Sequence, residues 1–337
     1  MTTRAWAALE KGGALQPFEY DAGDLRSDQI EIAVEFCGIC HSDLSMLDNE
    51  WGNASFPVVP GHEVVGRIVA LGDHVPDSWK VGDRVGLGWF SESCMHCDQC
   101  LAGDHNLCAT AEQTIVGRHG GFADKVRCHW AWATPLPAAL DAAKAGPLFC
   151  GGITVFNPIV QCGVKPTDRV GVIGLGGLGH LALQFLDKWG CEVTAFSSNP
   201  EKSAELRRLG ADEIVNSRDA AALGKVAGKF DFILSTVNVP LDWDSYIGAL
   251  APKGRLHFVG AVLAPIPVAA FSLIMAQRAI SGSPLGSPAT TRDMIEFCAR
   301  HEIAPVTELY PMSQANDALQ HLRDGKARYR IVLQADF

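Results

Sequence analysis

The sequence predicts an α/β protein made of an irregular, largely antiparallel β domain followed by a doubly wound parallel sheet. Up to about residue 150, short β-rich runs alternate with Gly/Pro turns and show few helix patterns. From about Gly151, strand and helix patterns alternate, as they do in a parallel sheet covered by helices. The 337 residues are enough for two domains of about 100–200 residues each.

The individual elements follow from apolar periodicity and from the turn residues between them. In the first domain we predict strands at Ile30–Phe36, Val64–Val69, Arg84–Gly88 and Gly121–Val126. In the second we predict strands at Arg169–Ile173, Glu192–Phe196, Glu213–Val215, Phe230–Ser235 and Gly254–Val259. After Gly286, a helix over Thr291–Arg300 and a final strand over Arg330–Gln334 are expected to return to the first domain. The predicted boundaries are therefore 1–150, 151–286 and 287–337.

Composition and charge limit the class of partner. Hydrophobic residues make up 47% and charged residues 20% of the chain, values typical of a soluble globular protein. A net charge of −10 without a basic cluster argues against a nucleic-acid partner and favours a small molecule.

The N-terminus lacks a basic-then-apolar signal, and Pro265 and Pro267 interrupt the longest apolar stretch, so no membrane association is expected. Eleven cysteines with metal-like clustering favour a reducing, cytoplasmic location.

A segment of four cysteines has the spacing C-x2-C-x2-C-x7-C, formed by Cys94, Cys97, Cys100 and Cys108. Such short separations let a loop bring its thiolates onto one tetrahedral zinc, and four thiolates close the ion against water. This predicts a structural zinc in a lobe at about residues 90–110. Free or disulfide-bonded thiols are the alternative, although disulfides between cysteines this close would be strained.

A second set of possible metal ligands is distributed over three motifs. They are Cys40 in CGICHSD, His62 with Glu63 in PGHEVVG, and Cys150 in FCGGIT. Two cysteines and one histidine would leave a fourth zinc position open for water or substrate, as in catalytic zinc sites. Taken singly, each signal is weak, because a lone His among glycines is more often a hydrogen-bonded structural residue and Cys is commonly buried.

A glycine-rich turn follows an apolar β-branched run and precedes a helical pattern. Its G-x-G-x-x-G sequence places a pyrophosphate at a helix N-terminus, where backbone N–H groups and the helix dipole favour an anion. Outside a βαβ unit the same motif could be a plain turn. The residues predicted to bind the cofactor here are Gly174, Leu175, Gly176, Gly177, Leu178 and Gly179.

Together, in this order along nearly the whole chain, these motifs resemble the zinc-dependent medium-chain dehydrogenase/reductase superfamily. The resemblance is strongest to its cinnamyl alcohol dehydrogenase-like branch, which includes bacterial NADPH-dependent aldehyde reductases. It implies a GroES-like catalytic domain and a Rossmann domain. The motifs K80-VGDRV-G86, L209-GA-D212 and G282-SPLG-S287 carry the resemblance as well.

The resemblance implies a role for each candidate site residue. Cys40, His62 and Cys150 are similar to the catalytic zinc ligands, with Glu63 able to approach the metal. Asp43 is similar to the carboxylate that orients the zinc-ligating histidine.

Further roles concern the proton and the nicotinamide. Ser42 is similar to the hydroxyl that takes the substrate's proton, although an ordinary turn serine is the alternative. Thr154 is expected near the nicotinamide. Where the branch often has a relay histidine, this chain has Ser45. Trp51 and Trp89 could line the substrate entrance or belong to the core.

The implied activity is hydride transfer between a nicotinamide and a primary alcohol or aldehyde, aromatic or medium-chain, in a homodimer with two zinc ions per chain. Two alternatives remain, NADPH-dependent reduction of a conjugated C=C bond and a zinc-binding relative without turnover. The retained zinc ligands and Ser42 argue against both.

The choice of nicotinamide depends on the end of the second strand of the βαβ unit. NAD-preferring enzymes usually carry Asp or Glu there, but this chain has Ser197. Ser197, Ser198 and Lys202 can donate hydrogen bonds to a 2′-phosphate, whereas Glu201 is expected to point to solvent. The sequence therefore predicts NADP(H).

Overall fold

The computed structural model describes residues 2–337 and divides them into two compact units. One extends to Ile153 and includes Gly286–Phe337, and the other is Thr154–Leu285. The chain passes from the first unit to the second between residues 153 and 154, and returns between residues 285 and 286. The boundaries expected from the sequence are 150/151 and 286/287. Within residues 2–337 no helix combines the length and hydropathy that a membrane span needs.

Strands are distributed over both units. In chain order they are β1 (Thr2–Ala7), β2 (Gln16–Asp21), β3 (Gln29–Ile39), β4 (Val64–Leu71), β5 (Arg84–Leu87), β6 (Phe90–Glu92), β7 (Glu112–Gln113), β8 (Lys125–His129), β9 (Thr134–Pro135), β10 (Arg169–Ile173), β11 (Glu192–Ser197), β12 (Glu213–Asn216), β13 (Phe230–Ser235), β14 (Leu250–Phe258), β15 (Ala279–Gly282), β16 (Thr307–Pro311) and β17 (Arg330–Gln334).

The helices are mostly short. They are α1 (His41–Leu47), α2 (Asp98–Leu101), α3 (Ala142–Ala145), α4 (Gly151–Gln161), α5 (Gly179–Trp189), α6 (Ser203–Arg208), α7 (Ala220–Lys225), α8 (Trp243–Ala249), α9 (Ala270–Ile274), α10 (Pro288–His301) and α11 (Ala315–Arg323). Short 3₁₀ helices lie at His105–Leu107, Trp130–Trp132, Gly146–Phe149, Pro200–Lys202 and Met312–Gln314.

The first unit is built on a seven-stranded sheet with the order β16-β17-β3-β4-β5-β9, in which β8 also pairs with β3. All neighbours are antiparallel except β16 and β17. This confirms the predicted antiparallel domain and the return of the final strand. Pairing of Ile331 with Ile39 places Arg330 beside the end of β3, where the chain turns into α1.

The strand predicted at Gly121–Val126 is wrong in position, because the strand found there, β8, begins at Lys125. Gly121 and Phe122 instead donate backbone hydrogen bonds to the carbonyl oxygens of Gly61 and Pro60. Phe122 is fully buried. Its apolar character therefore reflects a buried loop that supports the Pro60–Gly61 turn rather than a strand.

The second unit contains a six-stranded parallel sheet with the order β12-β11-β10-β13-β14-β15. The chain builds outward from β10 to β12 on one side and from β13 to β15 on the other. Ligands of such sheets bind beyond the carboxyl ends of the strands, at the point where the order reverses. Here that point lies between β10 and β13, and the glycine-rich turn directly follows β10. The predicted doubly wound sheet is confirmed.

Candidate metal centres and nucleotide site

The four clustered cysteines form a compact group in the structure. One Sγ atom from each of Cys94, Cys97, Cys100 and Cys108 lies within 4.8 Å of the others. The Sγ atoms of Cys94 and Cys100 are 4.0 Å apart, and all eleven cysteines of the chain are free thiols. Two sulfur ligands of one tetrahedral zinc, each about 2.3 Å from the ion, lie about 3.8 Å apart. The lobe therefore fits zinc better than the disulfide alternative.

A second group of possible ligands is fully enclosed in the first unit. Donor atoms of Cys40, His62, Glu63 and Cys150 lie within 4.8 Å of one another, and all four residues are buried. The Cys40 and Cys150 Sγ atoms are 3.8 Å apart, and His62 Nε2 is 3.3 Å from Cys150 Sγ. On a tetrahedral zinc the corresponding separations are about 3.8 and 3.5 Å. Residues far apart in sequence thus meet at distances suited to one ion.

One of the two thiols in this group favours the ionised form. Their shared hydrogen bond holds the pKa of Cys40 well below, and that of Cys150 well above, the usual value of a thiol. The pair therefore favours one thiolate, the form that binds a metal.

Asp43 organises the second group through three hydrogen bonds. Its Oδ1 accepts from His62 Nδ1 at 3.1 Å and from the Gly61 backbone N–H at 2.9 Å. Its Oδ2 accepts from the Cys40 backbone N–H at 2.8 Å. An N–H on Nδ1 leaves Nε2, which faces Cys150, free to bind a metal. Asp43 thus fixes both the histidine tautomer and the position of Cys40.

Glu63 is held by a residue that the sequence did not single out, Arg330. The guanidinium donates to Glu63 Oε1 and to the carbonyl oxygen of Ile39, and both charged side chains are buried. Burial raises the pKa of Glu63 to about 7, against the lowering effect of Arg330. Within residues 2–337, Glu63 Oε2 has no hydrogen-bond partner. A buried carboxyl group with one open oxygen therefore lies beside the two thiols.

The serines of α1 occupy different environments. The Ser42 Oγ lies 3.7 Å from Cys40 Sγ, which places the hydroxyl beside the candidate ligands. Ser45, one turn later, is buried and donates to Oε2 of the exposed Glu50 at 2.7 Å. The serine that replaces the usual relay histidine is thus connected to a surface carboxylate, a contact that the sequence analysis missed.

Trp89 and Trp51 lie next to the second group. The Trp89 ring contacts the His62 ring edge-on, with centroids 4.9 Å apart, and Trp51 contacts Trp89 at 5.8 Å. Trp51 remains 36% exposed, so it is not a core residue. The contacts favour the interpretation that both side chains line an approach to His62.

In the second unit, the geometry of the glycine-rich turn explains its three motif glycines. Gly174 has a φ of +86°, a conformation that side chains rarely adopt. A Cβ on Gly179 would lie 1.8 Å from the Gly174 carbonyl oxygen, so only glycine fits at the start of α5. A Cβ on Gly176 would meet nothing within 4 Å, which leaves its backbone open to a ligand. This pattern suits a bound pyrophosphate.

The end of β11 carries the residues that the sequence analysis assigned to nicotinamide selection. Ser197 is buried, and its hydroxyl donates to the Asn199 carbonyl oxygen at 2.9 Å while accepting from the Asn199 N–H. The Ser197 hydroxyl would have to give up its hydrogen bond to the Asn199 carbonyl oxygen in order to donate to a phosphate. Ser198 and Glu201 are exposed, as expected for Glu201, and Lys202 is half-buried. Thr154 is buried on α4, and its contact with a nicotinamide stays a prediction.

Comparisons with known proteins agree with this geometry. Residues 26–138 match the alcohol dehydrogenase GroES-like domain, and residues 177–300 match the zinc-binding dehydrogenase family. Aldehyde reductase AdhA of Synechocystis is 56% identical over 98% of both chains. A cinnamyl alcohol dehydrogenase structure from Sorghum bicolor aligns with a TM-score of 0.94 at 36% identity, covering 99% of this chain and 98% of that one.

A cinnamyl alcohol dehydrogenase from Helicobacter pylori, solved with NADP(H), aligns with a TM-score of 0.89 at 27% identity over 99% and 98% of the two chains. These matches confirm the fold, the resemblance and the enzyme class expected from the sequence. The chain belongs to the zinc-dependent medium-chain dehydrogenases, in their cinnamyl alcohol dehydrogenase-like branch, and is an oxidoreductase of the alcohol dehydrogenase and aldehyde reductase type.

Proposed function

We propose that this enzyme uses NADPH to reduce aromatic or medium-chain aldehydes to primary alcohols, and that it holds two zinc ions per chain. The observation that supports the proposal most is the buried convergence of Cys40, His62 and Cys150, with Asp43 orienting the histidine. The identity to a protein named aldehyde reductase supports the reductive direction.

Cys40, His62 and Cys150 would hold the catalytic ion. A zinc bound there supplies Lewis-acid stabilisation of negative charge on a carbonyl or alcohol oxygen, and the nicotinamide supplies or accepts the hydride. Asp43 keeps His62 in the tautomer that presents Nε2. Arg330 holds Glu63 by one oxygen, which leaves the other oxygen available to the same group.

Ser42 is the proposed proton donor to the reduced oxygen. Its hydroxyl lies beside Cys40 and therefore next to the ligand group. We assign the outward transfer of the proton to Ser45 and Glu50, because their hydrogen bond leads from a buried hydroxyl to an exposed carboxylate. This pair takes the place that a histidine often has in the branch.

The second zinc is assigned to Cys94, Cys97, Cys100 and Cys108. Four cysteine ligands leave no open position, so this ion would stabilise the lobe and take no part in turnover.

The nicotinamide is assigned as NADP(H). The supporting observation is that the end of β11 carries no carboxylate before Glu201, which is exposed and whose backbone N–H donates to Asn199 Oδ1. Ser197, Ser198 and Lys202 would surround the 2′-phosphate, and the solved relative with bound NADP(H) supports the same choice.

We further propose a cytoplasmic homodimer. Strand β15 ends the parallel sheet on one side, and exposed apolar side chains cluster just before it in the chain. Leu263, Phe271, Ile274 and Met275 are 77, 70, 67 and 69% exposed. Such a cluster is typical of an interface, and a second copy could cover it while pairing with β15. The eleven free cysteines support a reducing location.

Steady-state reduction of a panel of aldehydes with NADPH and NADH tests the catalytic proposal. An α,β-unsaturated aromatic aldehyde belongs in the panel, because its product distinguishes the two enzymatic alternatives. We expect the unsaturated alcohol and a higher kcat/KM with NADPH. A saturated aldehyde as product would assign the enzyme to C=C reduction, and no turnover with any substrate would favour a binding role.

A further inference from the structure

The ends of β11 and β12 lie side by side in the second unit. The strands are parallel, and Ser197 pairs with Asn216. The Ser217 backbone N–H donates to the Ser197 carbonyl oxygen at 3.0 Å, so the alignment continues beyond the last pair. Adjacent strands are about 4.8 Å apart. In this register Arg218 follows β12 at the position that Asn199 has after β11.

Matching local turns hold the two strand ends. After β11, the Asn199 N–H donates to Ser197 Oγ at 3.2 Å, and after β12 the Arg218 N–H donates to Asn216 Oδ1 at 3.0 Å. The backbone of Arg218 is thereby fixed at the carboxyl edge of the sheet, next to the residues assigned to the 2′-phosphate.

The Arg218 side chain is available for a ligand. It is exposed, and its guanidinium has no hydrogen-bond or ion-pair partner within the part of the chain that the structure describes. The neighbouring Asp219 accepts from the Ala221 N–H at 2.9 Å as the N-cap of α7, an interaction that uses one of its two carboxylate oxygens. Glu201 is the other acidic residue at these turns, and it is exposed.

We propose that Arg218 contacts the 2′-phosphate of NADPH and is a further determinant of cofactor specificity. A guanidinium binds phosphate through two parallel N–H···O bonds, a geometry that an ammonium group such as Lys202 does not offer. The position one strand away lets Arg218 approach the phosphate from the β12 side, while Ser198 and Lys202 approach from the β11 side. The inference rests on the proposed preference for NADP(H).

Dissociation constants of NADPH and NADH, measured by tryptophan fluorescence quenching of the intact enzyme, test this contact. Arg218→Gln should weaken NADPH binding by about tenfold, the typical effect of losing a charge-assisted hydrogen bond, and leave NADH binding unchanged. Arg218→Lys should retain part of the NADPH affinity. Competition by 2′,5′-ADP should weaken in Arg218→Gln, whereas competition by 5′-AMP should not.

Arg208→Gln is the matched control. Arg208 is also exposed, but it is the last residue of α6 and lies at the opposite, amino-terminal edge of the sheet. It should leave both dissociation constants unchanged. An unchanged NADPH to NADH ratio in Arg218→Gln, in an enzyme that prefers NADPH, would overturn the role of Arg218 alone. A wild-type enzyme that prefers NADH would instead overturn the underlying cofactor assignment.

Discussion

Replacing Asp43 by Asn perturbs the second group of candidate ligands, Cys40, His62, Glu63 and Cys150, without removing any of them. The substitution keeps the size of the side chain and one acceptor oxygen. In the orientation that preserves Oδ1, the bonds from His62 Nδ1 and Gly61 remain. The new NH2 group then faces the Cys40 backbone N–H. Two hydrogen-bond donors therefore replace the 2.8 Å hydrogen bond of the wild type.

The loss can be estimated from these contacts. A buried hydrogen bond to a charged group contributes about 1.5–3 kcal/mol, and the negative charge that supports His62 disappears as well. Partners of this kind typically change metal affinity by about 10–100-fold when they are replaced. We expect Asp43→Asn to release one zinc to a chelator at a concentration about 10–100-fold lower than the wild type needs.

Zinc release measured by a colorimetric chelator gives the affinity directly, and circular dichroism verifies that the variant is folded. Asp124→Asn is the control, because Asp124 belongs to the same unit but pairs with Arg4. If Asp43→Asn retained both ions as tightly as the wild type does, the proposed action of Asp43 on the His62 ligand would be refuted.

Three further substitutions test the four-cysteine site, the proposed proton donor and the proposed dimer interface. Cys97→Ser should lower the melting temperature and reduce the zinc content by one ion per chain, because a zinc bound by the four cysteines would order the lobe. An unchanged metal content would contradict the second site. Ser42→Ala should reduce kcat by about 10²–10⁴-fold with little change in KM, and an effect on KM alone would assign Ser42 to binding. Phe271→Glu with Ile274→Glu should give a monomer in sedimentation analysis, and a persisting dimer would place the interface elsewhere.

Strong local patterns predicted much of the fold. The limits of β10, β13 and β17 agree with the sequence predictions to the residue, because each is a short apolar run bounded by polar or turn residues. The loop around Phe122 was mistaken for a strand, since burial in a loop and burial in a sheet leave the same apolar signal.

The residues missed at the site depend on long-range pairing. Arg330 reaches Glu63 only because β17 returns to pair with β3, and a single arginine in an apolar strand was the only signal in the sequence. Arg218 depends in the same way on the register of β12 against β11. Motif order pointed to the candidate cysteine and histidine ligands and to Asp43, but no motif contains Arg330, which holds Glu63.

We propose that the buried group of Cys40, His62 and Cys150 holds the zinc required for hydride transfer. Zinc content, NADPH affinity and aldehyde reduction measured on one preparation of Cys40→Ser test it most directly. We expect one zinc per chain instead of two, an unchanged NADPH dissociation constant and loss of aldehyde reduction. Undiminished turnover in a variant that contains only the zinc of the four-cysteine lobe would contradict it.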